Sequence, residues 1–174
     1  PQMTELRKDV APFKYVEAKM PFYPSGKKWG TIEKNTMAMQ LPVEAAESMK
    51  HMVHPVDFEL KLFASDPQIK RPICMNWDER GRLWIAETVD YPNERKPAGE
   101  GRDRIVICED TDGDGVADKF TVFADKLSIP TSFTFYKDGI IVTQAPHTLF
   151  LRSTKRNDVC DERQILFTGW HTGD

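Results

Sequence analysis

The sequence predicts an all-β fold that contains about two blades of a β-propeller. Two patterns support this prediction. Beyond residue 57, short runs of β-prone residues follow one another closely, and turn residues bound each run. The stretch 104–118 then recurs 43 residues later, so that Val106 corresponds to Leu149 and Asp118 to Asp161. A four-strand unit that repeats every 40 to 60 residues, as a rough range, is typical of a propeller blade.

The composition restricts the classes of function that fit this chain. Its 174 residues include 24 basic and 27 acidic side chains, and the net charge of −3 offers no broad basic surface for a nucleic-acid backbone. No apolar run approaches the roughly 18 residues that would span a bilayer. The three cysteines show no CxxC spacing, which excludes a zinc ribbon, a thioredoxin-type redox pair and a c-type haem attachment site within this stretch. We therefore expect neither a nucleic-acid partner nor a transmembrane segment in this chain.

The N-terminal part of the chain predicts little regular structure. Residues 1–40 keep neither a strand nor a helix period for long, and prolines such as Pro12 and Pro21 interrupt them, so we interpret them as an extended arm or linker. One short helix follows at residues 43–52, where apolar side chains recur at i, i+4 and i+7. We expect the propeller domain to span residues 41–174.

Nine predicted strands follow the helix. They are 58–63, 73–77, 83–87, 104–108, 120–123, 132–136, 140–143, 148–151 and 164–167. The first hairpin of the repeat recurs at an offset of 57 rather than 43, and the difference corresponds to an extra loop around Tyr91–Arg102. Because a propeller needs about four to eight blades, and unclosed blades leave sheet edges unpaired, we expect this chain to be the front part of a larger propeller.

The most specific local pattern predicts a calcium site. Asp110, Asp112 and Asp114 stand at positions 1, 3 and 5 of a Gly-rich loop, the carbonyl of Val116 at position 7 and Asp118 at position 9. Alternate oxygen donors of this kind converge on a hard cation such as Ca²⁺, and close carboxylates would repel one another without one. Strands rather than helices flank the loop, so we expect a structural Ca²⁺ loop in a β-hairpin. The alternative is an acidic turn that remains solvated.

The second copy of this loop predicts no ion. Ser153, Lys155 and Asn157 replace the first three carboxylates, and Asp161 corresponds to Asp118. Because the Lys155 side chain places a cation where a ligand would stand, we expect one bound ion and not two.

A possible ligand site lies on the opposite side of the predicted blades. Consecutive hairpins alternate between the two ends of a blade, so the Tyr91–Arg102 insert and the C-terminal stretch share the end away from the calcium loop. The candidate substrate-binding residues on this insert side are Glu87, Asp90, Tyr91, His171 and Asp174. His171 could act as a base or as a ligand. The alternative is a solvated loop histidine with no role in catalysis.

Several blocks of the sequence resemble a known family. Residues 58–67, 78–87, 90–92, 109–119 and 167–174 are similar to the start of the propeller in membrane-bound dehydrogenases, also called PVC-type haem-binding proteins. The L-sorbosone and soluble quinoprotein glucose dehydrogenases are more distant relatives. The resemblance implies a six- or seven-bladed propeller, export to the periplasm, and a c-type haem domain elsewhere in the full-length protein. It also implies pyrroloquinoline quinone with a catalytic histidine beyond Asp174. The loop at 153–161 departs from the family, in which a second Asp-rich loop is common.

Two functions follow as hypotheses. In the first, the full-length protein is an exported dehydrogenase that oxidises a sugar or polyol and passes electrons to a quinone or haem. This chain alone would then be inactive, because the resemblance implies that the catalytic residue lies outside it. In the second, the propeller is a non-catalytic module that binds a glycan or a protein, and Ca²⁺ only stiffens a blade.

Overall fold

The computed structural model describes residues 10–12, 17–19, 38–40, 43–91 and 95–172. These residues form one short helix, α1 (Ala45–Met49), and ten strands. The strands are β1 (Glu17–Lys19), β2 (Ala38–Gln40), β3 (Pro72–Trp77), β4 (Leu83–Glu87), β5 (Asp103–Glu109), β6 (Lys119–Leu127), β7 (Ser132–Tyr136), β8 (Gly139–Gln144), β9 (His147–Arg152) and β10 (Glu162–Thr168). The chain divides into two compact units, residues 1–62 and 63–174. In the described part, no helix has the length and apolar character needed to cross a membrane.

The N-terminal unit contains a small antiparallel pair and the helix. Strand β1 pairs with β2. Helix α1 is shorter than the predicted helix at 43–52, because its N-cap, Glu44, makes no side-chain hydrogen bond to the first turn and no helix residue is buried. The predicted strand at 58–63 is wrong: this segment is not part of a sheet, and Phe58 is 69% exposed. Its alternating pattern has no neighbouring strand to pair with among the described residues, and a strand needs such a partner.

The second unit consists of two four-stranded antiparallel sheets, and this confirms the prediction of a mostly β fold. In each sheet the strands lie in chain order, β3-β4-β5-β6 in the first and β7-β8-β9-β10 in the second. All eight strands predicted between residues 73 and 167 are present. The registers also agree with the repeat, because Leu83 lies opposite Cys108 in the first sheet and Ile140 lies opposite Leu151 in the second.

The central strands of the first sheet, β4 and β5, are buried on both faces. One face packs against the second sheet, through Trp84, Ala86, Ile105 and Ile107 on one side and Phe133, Ile140, Val142, Leu149 and Leu151 on the other. The opposite face is covered by a short segment of chain that precedes β3. There, the side chains of Phe63, Ala64 and Ile69 pack on a layer formed by Leu83, Ile85, Val106 and Cys108. By contrast, Ile165 and Phe167 of β10 are 57% and 51% exposed.

One backbone contact occurs once in each repeat. The amide of Ala117 donates a hydrogen bond of 2.8 Å to the carbonyl of Phe63, and the amide of Cys160 donates one of 2.7 Å to the carbonyl of Phe123. Ala117 and Cys160 are separated by the same 43 residues as the strands that precede them. The segment at Phe63 therefore contacts the first sheet as strand β6 contacts the second.

A buried carboxylate organises the insert side of the first sheet. Asp103 is fully buried, and its two oxygens accept hydrogen bonds from the Thr88 hydroxyl and from the amides of Val89, Asp90 and Ile129. These donors come from the chain that leaves β4 and from the chain that joins β6 to β7. The Asp103 carboxylate thus fixes the insert and the connection between the two sheets together.

The close approach of the insert to strand β6 requires glycine at position 101. A Cβ atom at Gly101 would lie 1.6 Å from the carbonyl oxygen of Leu127. We expect Gly101→Ala to destabilise the folded chain by about 3 kcal/mol or more, because two backbone segments would have to move apart. Urea denaturation of purified protein measures this change.

Gly99→Ala is the matched control for this prediction. Gly99 lies in the same insert and has no atom within 4 Å of an added Cβ, although its φ of +82° is left-handed. We expect a cost of about 1 kcal/mol there. Equal costs for the two variants would contradict the role assigned to Gly101.

Candidate functional site

The acidic loop at residues 110–118 joins the paired strands β5 and β6; it is called the calcium loop below, after the ion that the sequence predicts there. Glu109 lies opposite Lys119 in the register of these strands, and their side chains form an ion pair of 2.8 Å. The amide of Asp118 donates a hydrogen bond of 3.0 Å to the carbonyl of Glu109. The two ends of the loop are therefore held together by the hairpin from which it projects.

Three of the predicted calcium ligands lie together. Asp110, Asp112 and Asp114 each offer a carboxylate oxygen, and these oxygens lie within 4.8 Å of one another. Oxygens that bind one Ca²⁺ at about 2.3–2.6 Å can be no more than about 5 Å apart, so this cluster fits the size of a Ca²⁺ shell. Water molecules can complete the shell, because the loop is exposed to solvent.

The carboxylate of Asp110 also shapes the loop backbone. It accepts hydrogen bonds from the amides of Gly113 (2.7 Å) and Gly115 (2.8 Å). Both glycines have left-handed backbones, with φ of 80° and 88°. The hydrogen bond from the amide of Gly115 is the main cause that lowers the pKa of Asp110. Burial acts in the opposite direction, but this hydrogen bond and the one from Gly113 together outweigh it. This carboxylate is therefore ionised at neutral pH, as cation binding requires.

The other two predicted ligand positions have different surroundings. The carboxylate of Asp118 accepts hydrogen bonds from both the amide (3.2 Å) and the hydroxyl (2.7 Å) of Thr111, so it closes the loop on itself. The amide of Val116 donates a hydrogen bond of 2.7 Å to Asp114, while the Val116 side chain is 43% exposed. Asp118 acts at the base of the loop, apart from the cluster of three carboxylates.

On the insert side, both predicted carboxylates bind arginines of the same chain. Glu87 is 2% exposed, forms an ion pair with Arg104 and accepts a hydrogen bond from the amide of Lys70 (2.9 Å). Asp90 is fully buried and accepts hydrogen bonds from the amide (2.9 Å) and Nε (2.6 Å) of Arg102. These contacts hold strand β4 and the insert in place.

The remaining predicted residues on this side are more accessible. Tyr91 is 45% exposed and His171 is also exposed, whereas Asp174 lies outside the described residues. The structure adds Trp170, whose indole nitrogen donates to the hydroxyl of Thr148 (2.8 Å) and whose ring packs on Phe167 at 4.9 Å. Sequence reasoning missed this half-exposed aromatic pair. The only signal was a tryptophan within an otherwise polar stretch.

A cleft of about 480 Å³ lies on the calcium-loop side, between the turns of the two sheets. The aromatic rings of Trp84, Phe123 and Phe135 line it together with the charged side chains of Arg82, Arg152 and Asp158. Sequence reasoning missed this cleft, because its walls come from turns that are more than fifty residues apart in the chain.

The Asp90–Arg102 pair predicts a pH dependence of stability. Burial alone would raise the pKa of Asp90, but the hydrogen bonds and the charge of Arg102 outweigh burial and lower it. The stabilisation is therefore complete above the unfolded-state pKa of about 3.9, and it is lost as the pH falls through the lower folded-state pKa. We expect Asp90→Asn to cost about 2 kcal/mol at pH 7 and progressively less below about pH 4.

Urea denaturation at several pH values between 2 and 7 tests this expectation, with Asp125→Asn as the control. Asp125 is exposed and forms a surface ion pair with Arg163, so its replacement should change stability by less than about 0.5 kcal/mol at any pH. A cost for Asp90→Asn that stays constant from pH 7 to pH 2 would contradict the role of the ionised carboxylate.

Comparison with known proteins identifies a family but no activity. No curated protein and no solved structure matches the chain. A family model described as a domain of unknown function, DUF7133, matches residues 44–174. This match covers α1, both four-stranded sheets, the calcium loop and the insert. The chain therefore belongs to the DUF7133 family.

Proposed function

We propose that this chain binds one Ca²⁺ in the calcium loop and forms part of a β-propeller in an exported protein. The observation that carries the calcium proposal is the convergence of the Asp110, Asp112 and Asp114 oxygens within 4.8 Å of one another. A bound Ca²⁺ would supply positive charge to these carboxylates and link the first half of the loop to its tip. Its role would be to stabilise the β5–β6 hairpin.

The repeated packing of the sheets supports the propeller proposal. Each sheet is a four-stranded antiparallel meander, and the second packs face to face on the first. The contact at Phe63 reproduces the contact at Phe123 of β6, and this supports the proposal that the segment at Phe63 holds the place of a neighbouring blade in front of the first sheet. The exposed apolar side chains of β10 leave the second sheet able to accept a further sheet.

For the full-length protein we propose oxidation of a sugar or polyol, with electrons passed to a quinone or haem, in the periplasm. This proposal is supported by the resemblance to membrane-bound dehydrogenases. Within this chain, Tyr91, Trp170 and His171 are exposed on the insert side and are able to contact a sugar-like molecule. The carboxylates of Glu87 and Asp90 would hold strand β4 and the insert in place around this molecule, by their ion pairs with Arg104 and Arg102.

One observation favours a non-catalytic binding module instead. Both buried carboxylates that sequence reasoning assigned to substrate, Glu87 and Asp90, are already paired with Arg104 and Arg102. The arginines occupy oxygens of both carboxylates, so these oxygens are not available to accept a proton from a substrate. A glycan could still stack on the exposed rings of Trp170 and Tyr91 without any reaction.

The calcium proposal predicts a metal-dependent stability. At a Ca²⁺ concentration about 100 times the Kd, binding contributes about 2.7 kcal/mol, and we expect the Tm to fall by about 5–10 °C when EDTA replaces Ca²⁺. Asp112→Asn should remove this difference and abolish binding in isothermal titration calorimetry. Asp112 is the most informative position because the hydrogen bond that its carboxylate accepts from the loop backbone is long, 3.2 Å from the amide of Asp114.

Asp125→Asn again provides the control, because Asp125 lies on the exposed part of β6 outside the loop. It should bind one Ca²⁺ like the wild type. If the wild type shows the same Tm in Ca²⁺ and in EDTA, and no heat of binding, the calcium proposal is wrong.

The dehydrogenase proposal is tested on the full-length protein. We expect the protein reconstituted with pyrroloquinoline quinone to reduce an electron-accepting dye when an aldose or polyol is added, and Trp170→Ala to raise KM for that substrate about tenfold or more. Binding of a glycan without any dye reduction, weakened by the same Trp170→Ala, would favour the binding module. The variant Trp77→Ala, in a half-exposed ring on β3, is the control for a general loss of aromatic packing.

A further inference from the structure

The loop at residues 153–161, called the second loop below, has nearly the same backbone as the calcium loop. Non-glycine residues with left-handed φ occur at Arg156 (52°) and Asp158 (61°). These positions lie 43 residues after Gly113 and Gly115, which have left-handed φ in the calcium loop. Residues other than glycine rarely adopt this backbone conformation, so its repetition at both positions indicates that the two loops share a fold.

The hydrogen bonds that close the two loops are also the same. Thr154 donates to Asp161 from its amide and from its hydroxyl, both at 2.8 Å, as Thr111 donates to Asp118. At the tip, the amide of Val159 donates a hydrogen bond of 3.3 Å to the side-chain oxygen Oδ1 of Asn157. In the same way, the amide of Val116 donates to the side-chain carboxylate of Asp114. The second loop therefore has the same frame as the calcium loop, although side chains other than carboxylates stand at three of the corresponding positions.

What the second loop has in addition is an ion pair to the other sheet. Asp158 accepts two hydrogen bonds from Arg82, of 2.7 Å to Nη1 and 3.2 Å to Nη2. The Arg82 side chain is 8% exposed, and its Nε also donates to Asp78 at 2.8 Å. Asp158 stands at the position that corresponds to Gly115, so the calcium loop has no side chain at this position.

We infer that the second loop is a metal-free counterpart of the calcium loop, in which the Arg82–Asp158 ion pair takes the place of the ion as the interaction that fixes its backbone. The guanidinium of Arg82 supplies a fixed positive charge to the tip of the loop. Lys155 adds a further positive charge where Asp112 stands in the calcium loop. The first sheet thus contributes the Arg82 side chain to the second loop. This ion pair links the two sheets on the calcium-loop side without a metal.

The frame of the second loop is tested by restoring its ligands. In the variant Ser153→Asp, Lys155→Asp, Asn157→Asp, we expect one more Ca²⁺ per chain than in the wild type, measured by equilibrium dialysis. Lys155→Ala alone is the control, since it removes the cation without adding a ligand, and it should leave the number unchanged. A folded triple variant that binds no additional ion would overturn the inference.

This inference rests on the proposed calcium site, but the counts separate the two. A wild type with no Ca²⁺ and a triple variant with one would contradict the proposed function and support the inference. One Ca²⁺ in both proteins would support the proposed function and contradict the inference. No Ca²⁺ in either protein would contradict the proposed function and the inference alike.

A second measurement tests the ion pair and does not require the triple variant to fold. Asp158→Gly introduces the residue found in the calcium loop and relieves the left-handed backbone, but it removes the contact with Arg82. If the ion pair fixes the loop, the Tm should fall by several degrees, equally in Ca²⁺ and in EDTA. Arg156→Gly is the matched control, because it relieves the same backbone conformation without breaking the pair, and its Tm should not fall. An unchanged or higher Tm for Asp158→Gly would overturn the inference.

Discussion

The apolar layer between the two four-stranded sheets is the interaction on which the rest of this structure depends. Strand side chains alternate between faces, so burying Trp84 and Ile107 against the second sheet places Leu83 and Val106 on the opposite face. That opposite face must also be covered, and the segment at Phe63 covers it. Because both faces of β4 and β5 are buried, the polar side chains of these two strands lie at the strand ends.

The two ends carry different kinds of polar structure. On the insert side, the carboxylates of Asp90 and Asp103 are fully buried and bind arginine or backbone amides, so they hold the connections between strands. On the calcium-loop side, the oxygens of Asp110, Asp112 and Asp114 lie within 4.8 Å of one another, and the side chains of Asp112 and Asp114 are exposed. This contrast is the physical reason for the proposal that a metal ion binds on the calcium-loop side and that a ligand contacts the exposed rings of the insert side.

Sequence reasoning succeeded where the pattern was local or repeated and failed where it depended on a distant partner. The strands from residue 73 onward, the hairpin at the calcium loop and the equivalence of the two loops follow from alternation and from the offset of 43 residues. The strand at 58–63 failed, since alternation does not reveal whether a neighbouring strand exists. The helix at 43–52 was too long, because periodicity does not detect a missing cap.

By itself, the sequence determined the all-β class, the four-strand repeat and the spacing of carboxylates in the calcium loop, because each of these depends on residues that are close together in the chain. Only the tertiary structure decided what the other charged residues do. It paired Arg82 with Asp158 across the two sheets, and it buried Asp103 among amides from two separate connections. These partners lie far apart in the chain, so packing of the sheets, rather than local spacing, brings them together.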